Sequence, residues 1–517
     1  MILLLVLLGV AAYAAYSFSK HRIEYWERHG VVGPKPTIFF GNFREIFNKT
    51  AGRNSVLQIY DWTKQFGKVY GFQEGWKNVL VISDLDMLYE IFVKKFESFH
   101  ARKLYPLSPD SDTSADIDLF HAHGGKWKRI RTLSTPTFAT INLKNVMPTV
   151  VHSIDVMLEF MDKKAQTGED FNIHEHFQEF SLDGISRIAL GQKGTRQFNN
   201  PNLNKIREVF RGAPNTFLHT ASATVPYFQP VFRTLLFSLF RYGIIRNPFG
   251  ELMDQLNKAV KLRKEAHARG EKEEIDEFGV KRVDFIDFFL EVESDEQLDV
   301  TKFKMSGMRV IKKLALSEIG CNCLLFLLAG FDTTANTLGF TAYCLAKSPE
   351  TQARLREEIE EVVGSDELSY EHLGKLRFME NVVKEALRLY PVASFANSRN
   401  CTETTTVGDM TIEKGTFVQA DTFAIHRNKK LWGEDADEFI PDRWTVERSH
   451  QAAWLSFGIG PRMCVGMRLA NMISKLVLVK VLSKFELIAS PRIDEEFGMI
   501  GGSVLMPKAV LVQLKAR

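Results

Sequence analysis

Residues 1–19 form an unbroken apolar run of mostly Leu, Val, Ala and Tyr, without a charged side chain. A helix rises about 1.5 Å per residue, so a run of this length just spans a bilayer. Lys20, His21 and Arg22 follow, and this basic cluster predicts that the rest of the chain faces the cytoplasm. A cleaved signal peptide is the alternative, but its positive charges would precede the apolar run. We therefore expect a transmembrane anchor over residues 1–19.

Residues 20–43 are basic at first and then contain Pro34 and Pro36 close together. Proline fixes φ and lacks a backbone donor, so this stretch cannot continue a helix. We interpret it as a stiff linker between the anchor and one catalytic domain over residues 44–517.

Beyond the linker, most apolar positions recur every three or four residues, which predicts helices. Residues 68–83 differ, because two β-favouring runs flank Gly75 and predict a hairpin. We expect a second hairpin over residues 407–419 and terminal strands over residues 500–512. The fold class is therefore mainly α with small β-sheets (α+β).

Residues 210–249 are rich in aromatic and aliphatic side chains, but Pro226 and Pro230 interrupt them. They are too broken for a spanning helix. Two interpretations stay open: a substrate entrance that dips into a membrane surface, or an ordinary buried helix pair.

The bulk composition is that of a globular protein, with 45% hydrophobic and 25% charged residues in 517. The net charge of +3 gives no reason to expect nucleic-acid binding. The five cysteines are few and odd in number, which favours a reducing compartment over a disulfide scaffold.

Cys464 lies between a glycine-rich turn and an amphipathic run whose period predicts a helix. A cysteine at a helix N-terminus is favoured as a thiolate by the unpaired N–H groups and the helix dipole. Phe457 offers a ring that can pack on a planar ligand, and Arg462 offers a bidentate partner for a carboxylate. Gly466 lets the backbone pass close to such a ligand.

The full pattern, F-G-x-G-P-R-x-C-x-G, resembles the haem-binding signature of the cytochrome P-450 family. The resemblance implies a single haem-thiolate domain that holds haem b, with Cys464 as the axial ligand. A buried free cysteine in a glycine-rich turn is the alternative, and the length of the motif argues against it.

Other stretches extend the resemblance. Trp127 and Arg131 share a helix face and match an element that contacts a haem propionate, and Arg399 matches another propionate-binding arginine. Lys126, Lys128 and Arg129 form either a basic docking face for an acidic reductase or a solvated charged face.

Ala329-Gly330-Phe331-Asp332-Thr333-Thr334 lies within a long apolar helical run and resembles the family's oxygen-activating sequence. Thr333 can offer its hydroxyl into a local opening of the helix. Asp332 is an ionisable residue in an apolar helix, costly unless it is used or paired. Together they are expected to be catalytic and to relay protons.

Glu385 and Arg388 share a helix face and can pair. Arg443 matches the arginine of another family segment, so the resemblance implies a buried triad that locks the cysteine loop. Leu119, Phe120, Phe326, Ala329, Val392 and Ser394 are expected to line the substrate pocket.

The resemblance implies a monooxygenase that inserts one atom of O₂ into a lipophilic molecule: a xenobiotic, a steroid or a fatty-acid-like compound. No dinucleotide fingerprint is evident, so electrons from NADPH would come through a separate flavoprotein reductase, with cytochrome b5 as a second candidate donor. The expected location is the endoplasmic reticulum membrane, with the catalytic domain facing the cytoplasm. The alternatives are a haem-thiolate isomerase or dehydratase acting on a peroxide, and a non-catalytic lipophile-binding haem protein.

Overall fold

Helices make up most of the chain, in agreement with the period of its apolar positions. The structure is a computed structural model and describes residues 1–46, 54–114, 116–211, 217–270, 284–291, 297–298, 310–311, 314–446, 450–502 and 504–517. Within these residues the α-helices are α1 (Ile2–Ile23), α2 (Tyr25–Arg28), α3 (Phe43–Ile46), α4 (Ser55–Phe66), α5 (Leu85–Tyr89), α6 (Gly124–Ser134), α7 (Thr140–Thr167), α8 (Ile173–Leu190), α9 (Leu203–Arg211), α10 (Phe217–Thr224), α11 (Gln229–Arg241), α12 (Pro248–Ala268), α13 (Phe285–Glu291), α14 (Leu316–Ala346), α15 (Pro349–Val362), α16 (Tyr370–Lys375), α17 (Arg377–Leu389), α18 (Thr422–His426), α19 (Lys429–Trp432), α20 (Met467–Lys484) and α21 (Ile493–Glu496).

The strands form small sheets beside the helices. They are β1 (Val69–Glu74), β2 (Lys77–Ile82), β3 (Phe171–Asn172), β4 (Gln297–Leu298), β5 (Val310–Ile311), β6 (Ser398–Asn400), β7 (Thr405–Val407), β8 (Met410–Ile412), β9 (Phe417–Ala420), β10 (Phe485–Ala489), β11 (Met499–Ile500), β12 (Met506–Pro507) and β13 (Leu511–Ala516). The largest sheet has the order β1-β2-β9-β6, in which only β2 and β9 are parallel. A second sheet has the order β10-β13-β3, and β4–β5, β7–β8 and β11–β12 are isolated pairs.

The predicted strands are present, but one pairing differs from expectation. Residues 68–83 form the β1–β2 hairpin, with Val69 opposite Ile82 and Glu74 opposite Lys77. Residues 407–419 do not form one hairpin. The hairpin consists of β7 and β8. Strand β9 lies outside it, between β2 and β6, which supply hydrogen-bond partners for its two edges.

The central element of the helical body is α14, which packs most extensively against α8 and also contacts α12, α17 and α20. In its most apolar stretch 72% of the residues are buried, whereas the figure for α1 is 6%. Both helices are long and apolar enough to cross a membrane. The two helices differ in burial: α14 is a core helix of the domain, whereas the apolar surface of α1 is exposed.

The segment expected to be a linker, residues 20–43, packs onto the domain. Helix α1 continues to Ile23, and Tyr25 and Trp26 are buried beside the first sheet. Trp26 Nε1 donates to the carbonyl of Phe72 at 2.9 Å, which joins this segment to β1. The burial of two large aromatic rings explains why the segment is held rather than free.

The aromatic stretch near residues 210–249 is exposed where the structure describes it. α11 has no buried residue, so the interpretation as a buried helix pair is wrong for this helix. Phe217, Tyr227 and Phe237 are among its exposed rings. Phe18 of α1 lies beside this region, with ring centroids 6.4 Å from Tyr227.

The turn of the β1–β2 hairpin gives a test of the packing. Gly75 has φ of +63°, and a Cβ there would lie 2.1 Å from the carbonyl oxygen of Ala223 in α10. Gly168, at the end of α7, has the same φ of +63° and no atom within 4 Å of such a Cβ. We expect Gly168→Ala to lose about 1–2 kcal/mol of unfolding free energy from backbone strain alone. Gly75→Ala should lose a further 1–3 kcal/mol or so from the clash. Denaturant unfolding of both variants measures the difference, and equal losses would contradict this packing.

Candidate active site

A cavity of about 380 Å³ lies between α14 and the loop that carries Cys464. Ala329 and Thr333 form one wall, and Cys464 and Gly466 lie in another. A more open depression of about 720 Å³ lies elsewhere, beside Glu179 and residues 195–204, and shares no residue with it. The chemistry predicted from the sequence therefore concentrates in the smaller, enclosed cavity.

The cysteine loop owes its shape to two glycines. Gly458 and Gly460 have φ of +74° and +71°, in the left-handed region that other residues avoid. A Cβ on Gly460 would lie only 2.3 Å from the carbonyl oxygen of Phe92. The loop closes where Cys464 N donates to Phe457 O at 2.9 Å, and α20 begins just beyond it. The predicted position of Cys464, shortly before a helix N-terminus, is confirmed.

The thiol of Cys464 is exposed on the cavity surface, and protein surrounds the site at longer range. Burial raises its pKa, and this outweighs the N–H of Gly466 and the guanidinium groups of Arg131 and Arg102, which lower it. The expectation that the helix end alone favours a thiolate is therefore too simple. A bound metal ion deprotonates a coordinating thiol outright, so iron and the thiolate would stabilise each other.

Four arginines line one end of the cavity: Arg102, Arg131, Arg399 and Arg462. Burial lowers the pKa of each, and repulsion by neighbouring arginines lowers the pKa of Arg102, Arg399 and Arg462 further. For Arg102 the pKa falls to about 10. No Asp or Glu is among the described residues that line the cavity.

This cluster fits an anionic cofactor. Within the described chain, the Nε atoms of Arg102 and Arg399 are buried without a hydrogen-bond partner. Buried cations without counter-charges are costly, so the cavity needs a ligand that brings negative charge to this end. The two propionates of a haem supply that charge, while its iron would face Cys464. Trp127 completes the end, with the Arg462 guanidinium 4.7 Å from its ring centre.

Arg102 is the member of this cluster that the sequence analysis missed. It donates to the backbone carbonyls of Ala396 and Arg462, which ties its loop to the cysteine loop. No motif surrounds it in the sequence, and its role depends on chain segments more than 290 residues apart.

The remaining walls are mostly apolar and aromatic, with a few Thr, Ser and Asn side chains among them. Phe138, Phe285 and Phe326 form a cluster with centroid distances of 5.2, 5.2 and 5.7 Å. Phe120 packs on Phe395 at 5.8 Å. Of the predicted pocket residues, the structure places five in the cavity wall: Leu119, Phe120, Phe326, Ala329 and Val392.

Ser394 does not line the cavity, contrary to expectation. It is buried in a short turn, where its hydroxyl donates to Pro391 O at 2.9 Å. Its carbonyl accepts a hydrogen bond from Gln419 Nε2 of β9. These bonds turn the residue toward the sheet.

α14 presents Thr333 to the cavity. Its hydroxyl donates to the carbonyl of Ala329 at 2.6 Å, within the same helix. The absence of a side chain at Gly330 lets α8 approach closely, because a Cβ there would lie 2.8 Å from Ile185. Ser181 of α8 donates to the carbonyl of Phe331 at 2.8 Å, so α8 holds the backbone beside Thr333.

Asp332 lies outside the cavity wall, although it adjoins Thr333 in the sequence. It is buried on the side of α14 where Asn336 interacts with its carboxyl and where His174 Nε2 lies 2.8 Å from Asn336 Oδ1. Burial raises the pKa of Asp332 to about 7, against the opposing effects of Asn336 and Arg207. The acid and the alcohol are therefore neighbours in sequence that face different surroundings.

The predicted triad is assembled around the carboxylate of Glu385. Arg388 donates to both of its oxygens at 2.8 Å, and Arg443 Nε donates at 3.2 Å. Trp444 Nε1 and Ile440 N add bonds of 3.0 and 3.1 Å. Glu385 and Arg388 are fully buried.

Two of the three basic residues expected at a docking face or on a solvated surface, Lys126 and Arg129, form bonds within the protein. Arg129 pairs with the nearly buried carboxylate of Glu318, at the start of α14. Lys126 Nζ donates to the carbonyls of Ser111 and Ser114 at 2.6 and 3.0 Å. Neither description therefore fits Lys126 and Arg129 well.

The helical fold, the cavity-facing cysteine and the cationic end of the cavity define a haem-thiolate enzyme. A family model described as Cytochrome P450 matches residues 31–514. The chain is 38% identical over 500 residues to cytochrome P450 cyp-13B1 of Caenorhabditis elegans, covering 95% of each chain. It is 37% identical over 525 residues to cytochrome P450 CYP13A3 of the same organism, covering 100% of this chain and 98% of the relative.

The chain therefore belongs to the cytochrome P450 family and is a monooxygenase whose cofactor is haem with a cysteine thiolate as axial ligand.

The triad yields a prediction about folding and haem loading. Glu385→Gln leaves the charges of Arg388 and Arg443 buried without an anion, so we expect a loss of about 3–5 kcal/mol in unfolding free energy. Haem content, measured as Soret absorbance per protein, should fall as well. The control is Asp442→Asn, which removes the exposed ion pair with Arg354 and should cost less than about 1 kcal/mol. Normal haem content in Glu385→Gln would contradict the prediction.

The cationic cluster yields a second prediction. Arg102→Leu removes one charge-assisted bond to the anionic cofactor, so haem release to an acceptor apoprotein should become about 10-fold faster. The matched control is Arg354→Leu, because Arg354 is an exposed arginine far from the cavity lining. Equal release rates in the Arg102→Leu variant and the unmodified enzyme would show that Arg102 does not contact the cofactor.

Asp332 yields a prediction about pH. Its carboxyl is protonated up to about pH 7 in the folded state and only up to about pH 4 when unfolded. The folded state thus binds more protons between these values, and its stability falls as the pH rises through them. Asp332→Asn should gain unfolding free energy relative to the unmodified enzyme over this range, by up to about 4 kcal/mol. Unfolding measured from pH 4 to 8 tests this. Asp442→Asn should stay flat, since Arg354 keeps the pKa of Asp442 below its ordinary value.

Proposed function

We propose that this monooxygenase inserts one atom of O₂ into a lipophilic small molecule (a xenobiotic, a steroid or a fatty-acid-like compound), with electrons from NADPH through a separate reductase. The observation that carries the substrate class is the cavity wall. Its aromatic cluster of Phe138, Phe285 and Phe326 is apolar, and among the lining residues that the structure describes every charged group is an arginine. A ligand that fills the remaining space gains from apolar burial and finds no carboxylate to pair with a cation.

When bound, the haem with its thiolate ligand supplies the activation of dioxygen. We assign the residues of α14 to proton handling. The Thr333 hydroxyl faces the cavity and can donate there once it exchanges its bond to Ala329. Asp332, with a pKa of about 7, can take up and release a proton near neutral pH. Because Asp332 lies outside the cavity wall, a change of side-chain rotamer or a water must connect it to Thr333.

We also propose an anchor in the endoplasmic reticulum membrane, with the domain on the cytoplasmic side. The exposed apolar surface of α1 supports this, as do Lys20 and Arg22 at its C-terminal end. Tyr227, between α10 and α11, lies beside Phe18, so the same membrane surface could cover this ring and the exposed rings of the two flanking helices. A lipophilic substrate would then enter from the bilayer. Cytochrome b5 is a second candidate partner.

The test is reconstitution of the full chain with an NADPH-dependent reductase, a panel of lipophilic compounds and ¹⁸O₂. We expect NADPH-dependent products that carry one labelled oxygen atom. Product formed from a lipid hydroperoxide without NADPH would favour an isomerase or dehydratase instead. A normal reduced carbon-monoxide spectrum without product from any compound would favour a lipophile-binding protein.

A pair of variants tests the role of Thr333. Thr333→Val keeps the shape of the side chain but removes the hydroxyl, so product per NADPH should fall on the order of 100-fold while NADPH is still oxidised. Thr341→Val is the control, because Thr341 makes the same kind of bond to the helix backbone but does not line the cavity. Equal coupling in both variants would exclude Thr333 from proton delivery.

A further inference from the structure

His426 is a fully buried histidine at the end of α18, and neither the cavity nor the triad includes it. Its two ring nitrogens have different partners. Nε2 lies 2.8 Å from the backbone nitrogen of Leu455, and Nδ1 lies 3.0 Å from the carbonyl oxygen of Arg388. An N–H can only donate, so Nε2 accepts and Nδ1 carries the hydrogen that is donated to Arg388. The partners thus assign a single neutral tautomer.

The neutral state is consistent with the surroundings. Burial and the nearby charge of Arg388 lower the pKa of His426 to about 3. Arg427 acts in the same direction. The ring is therefore a fixed donor–acceptor bridge near neutral pH.

One ring nitrogen bonds to Arg388 of the buried pair, and the other bonds to Leu455 at the start of the Cys464 loop. The relative position of these two parts affects how the cysteine is presented. Arg388 is held by the carboxylate of Glu385 and itself donates to the carbonyl of His426 at 2.6 Å. Leu455 begins the loop that leads to Cys464, and its carbonyl accepts from Gly458 N at 3.0 Å and Asn397 Nδ2 at 2.8 Å. Both the N–H and the carbonyl of Leu455 are therefore held by hydrogen bonds.

We propose that His426 is a positioning residue for the haem ligand, because its ring links the Glu385–Arg388 pair to the start of the Cys464 loop. Without the ring, the N–H of Leu455 and the carbonyl of Arg388 would both be buried without a partner. The start of the loop would then be free to shift, and the sulfur of Cys464 would be presented less firmly to the iron. This inference depends on thiolate ligation and is independent of the substrate and the reductase.

The experiment compares three variants of the full haem-loaded chain. His426→Phe keeps a buried ring but removes both bonds. His426→Gln can place an amide oxygen near the position of Nε2, and His426→Asn can place an amide nitrogen near that of Nδ1. The control is His176→Phe, which alters another buried histidine, on α8, that does not line the cavity.

The readout is the reduced carbon-monoxide spectrum, which separates thiolate-ligated haem from haem with a protonated or displaced ligand. It is followed during heating together with the far-ultraviolet signal of the helices. In His426→Phe the thiolate band should be lost at least about 10-fold faster than in the unmodified enzyme, at temperatures where the helices persist. His426→Gln should restore most of the lifetime of the band, because it keeps the bond to the cysteine loop, and His426→Asn should restore less.

Two outcomes would overturn the proposal. In the first, His426→Phe loses the thiolate band and the helices together, as the His176→Phe control does, which would make the role only structural. In the second, the Gln and Asn variants have the same band lifetime. If His426→Phe fails to incorporate haem, the comparison of Gln with Asn decides. Activity toward any substrate does not enter these measurements, so failure of the proposed function would leave them unaffected.

Discussion

A thiol that serves as a metal ligand must face an open cavity, and a loop that presents it has few hydrogen bonds of its own. In this protein the loop before α20 turns at Gly458 and Gly460 and is closed by a bond between Cys464 and Phe457. The fully buried pair of Glu385 and Arg388 reaches this loop through the ring of His426, which accepts from Leu455 N and donates to Arg388 O. Nearly every polar side-chain atom of the pair has a hydrogen-bond partner, so the pair can be buried without the large penalty of an unpaired charge.

The two ends of the cavity are lined by different kinds of side chain. Arginines that repel one another gather at one end, and aromatic rings form much of the rest. Such a cluster is unfavourable by itself, and it becomes favourable when an anionic cofactor supplies the missing charge. The same ligand would cover the apolar walls near Phe138 and Gly466. Binding of the cofactor and completion of the fold are therefore coupled in this domain.

Two neighbouring residues of the central helix α14 face different surroundings. Thr333 faces the cavity, whereas Asp332 faces the packed side of α14 near Asn336 and His174. Burial on that side raises the pKa of the acid toward neutrality, and an exposed acid could not exchange protons in that range. The separation keeps a carboxylate out of a largely apolar cavity and leaves it one residue from the hydroxyl of Thr333.

The sequence by itself determined the helical class, the apolar N-terminal helix and the turn before α20, because these depend on local period and glycine positions. The Glu385–Arg388–Arg443 network was expected from the resemblance to the family, since Arg443 is distant in sequence from the other two residues. Five of the six residues that the sequence assigned to the substrate pocket line the cavity. Only the tertiary structure decided that Arg102 joins the cationic cluster, that Ser394 turns toward the sheet and that Asp332 lies outside the cavity. The direction in which a side chain points is set by helices and strands from distant parts of the chain. A local pattern carries no information about those partners, and for the same reason His426 stood out only when Arg388 and Leu455 were seen on either side of its ring.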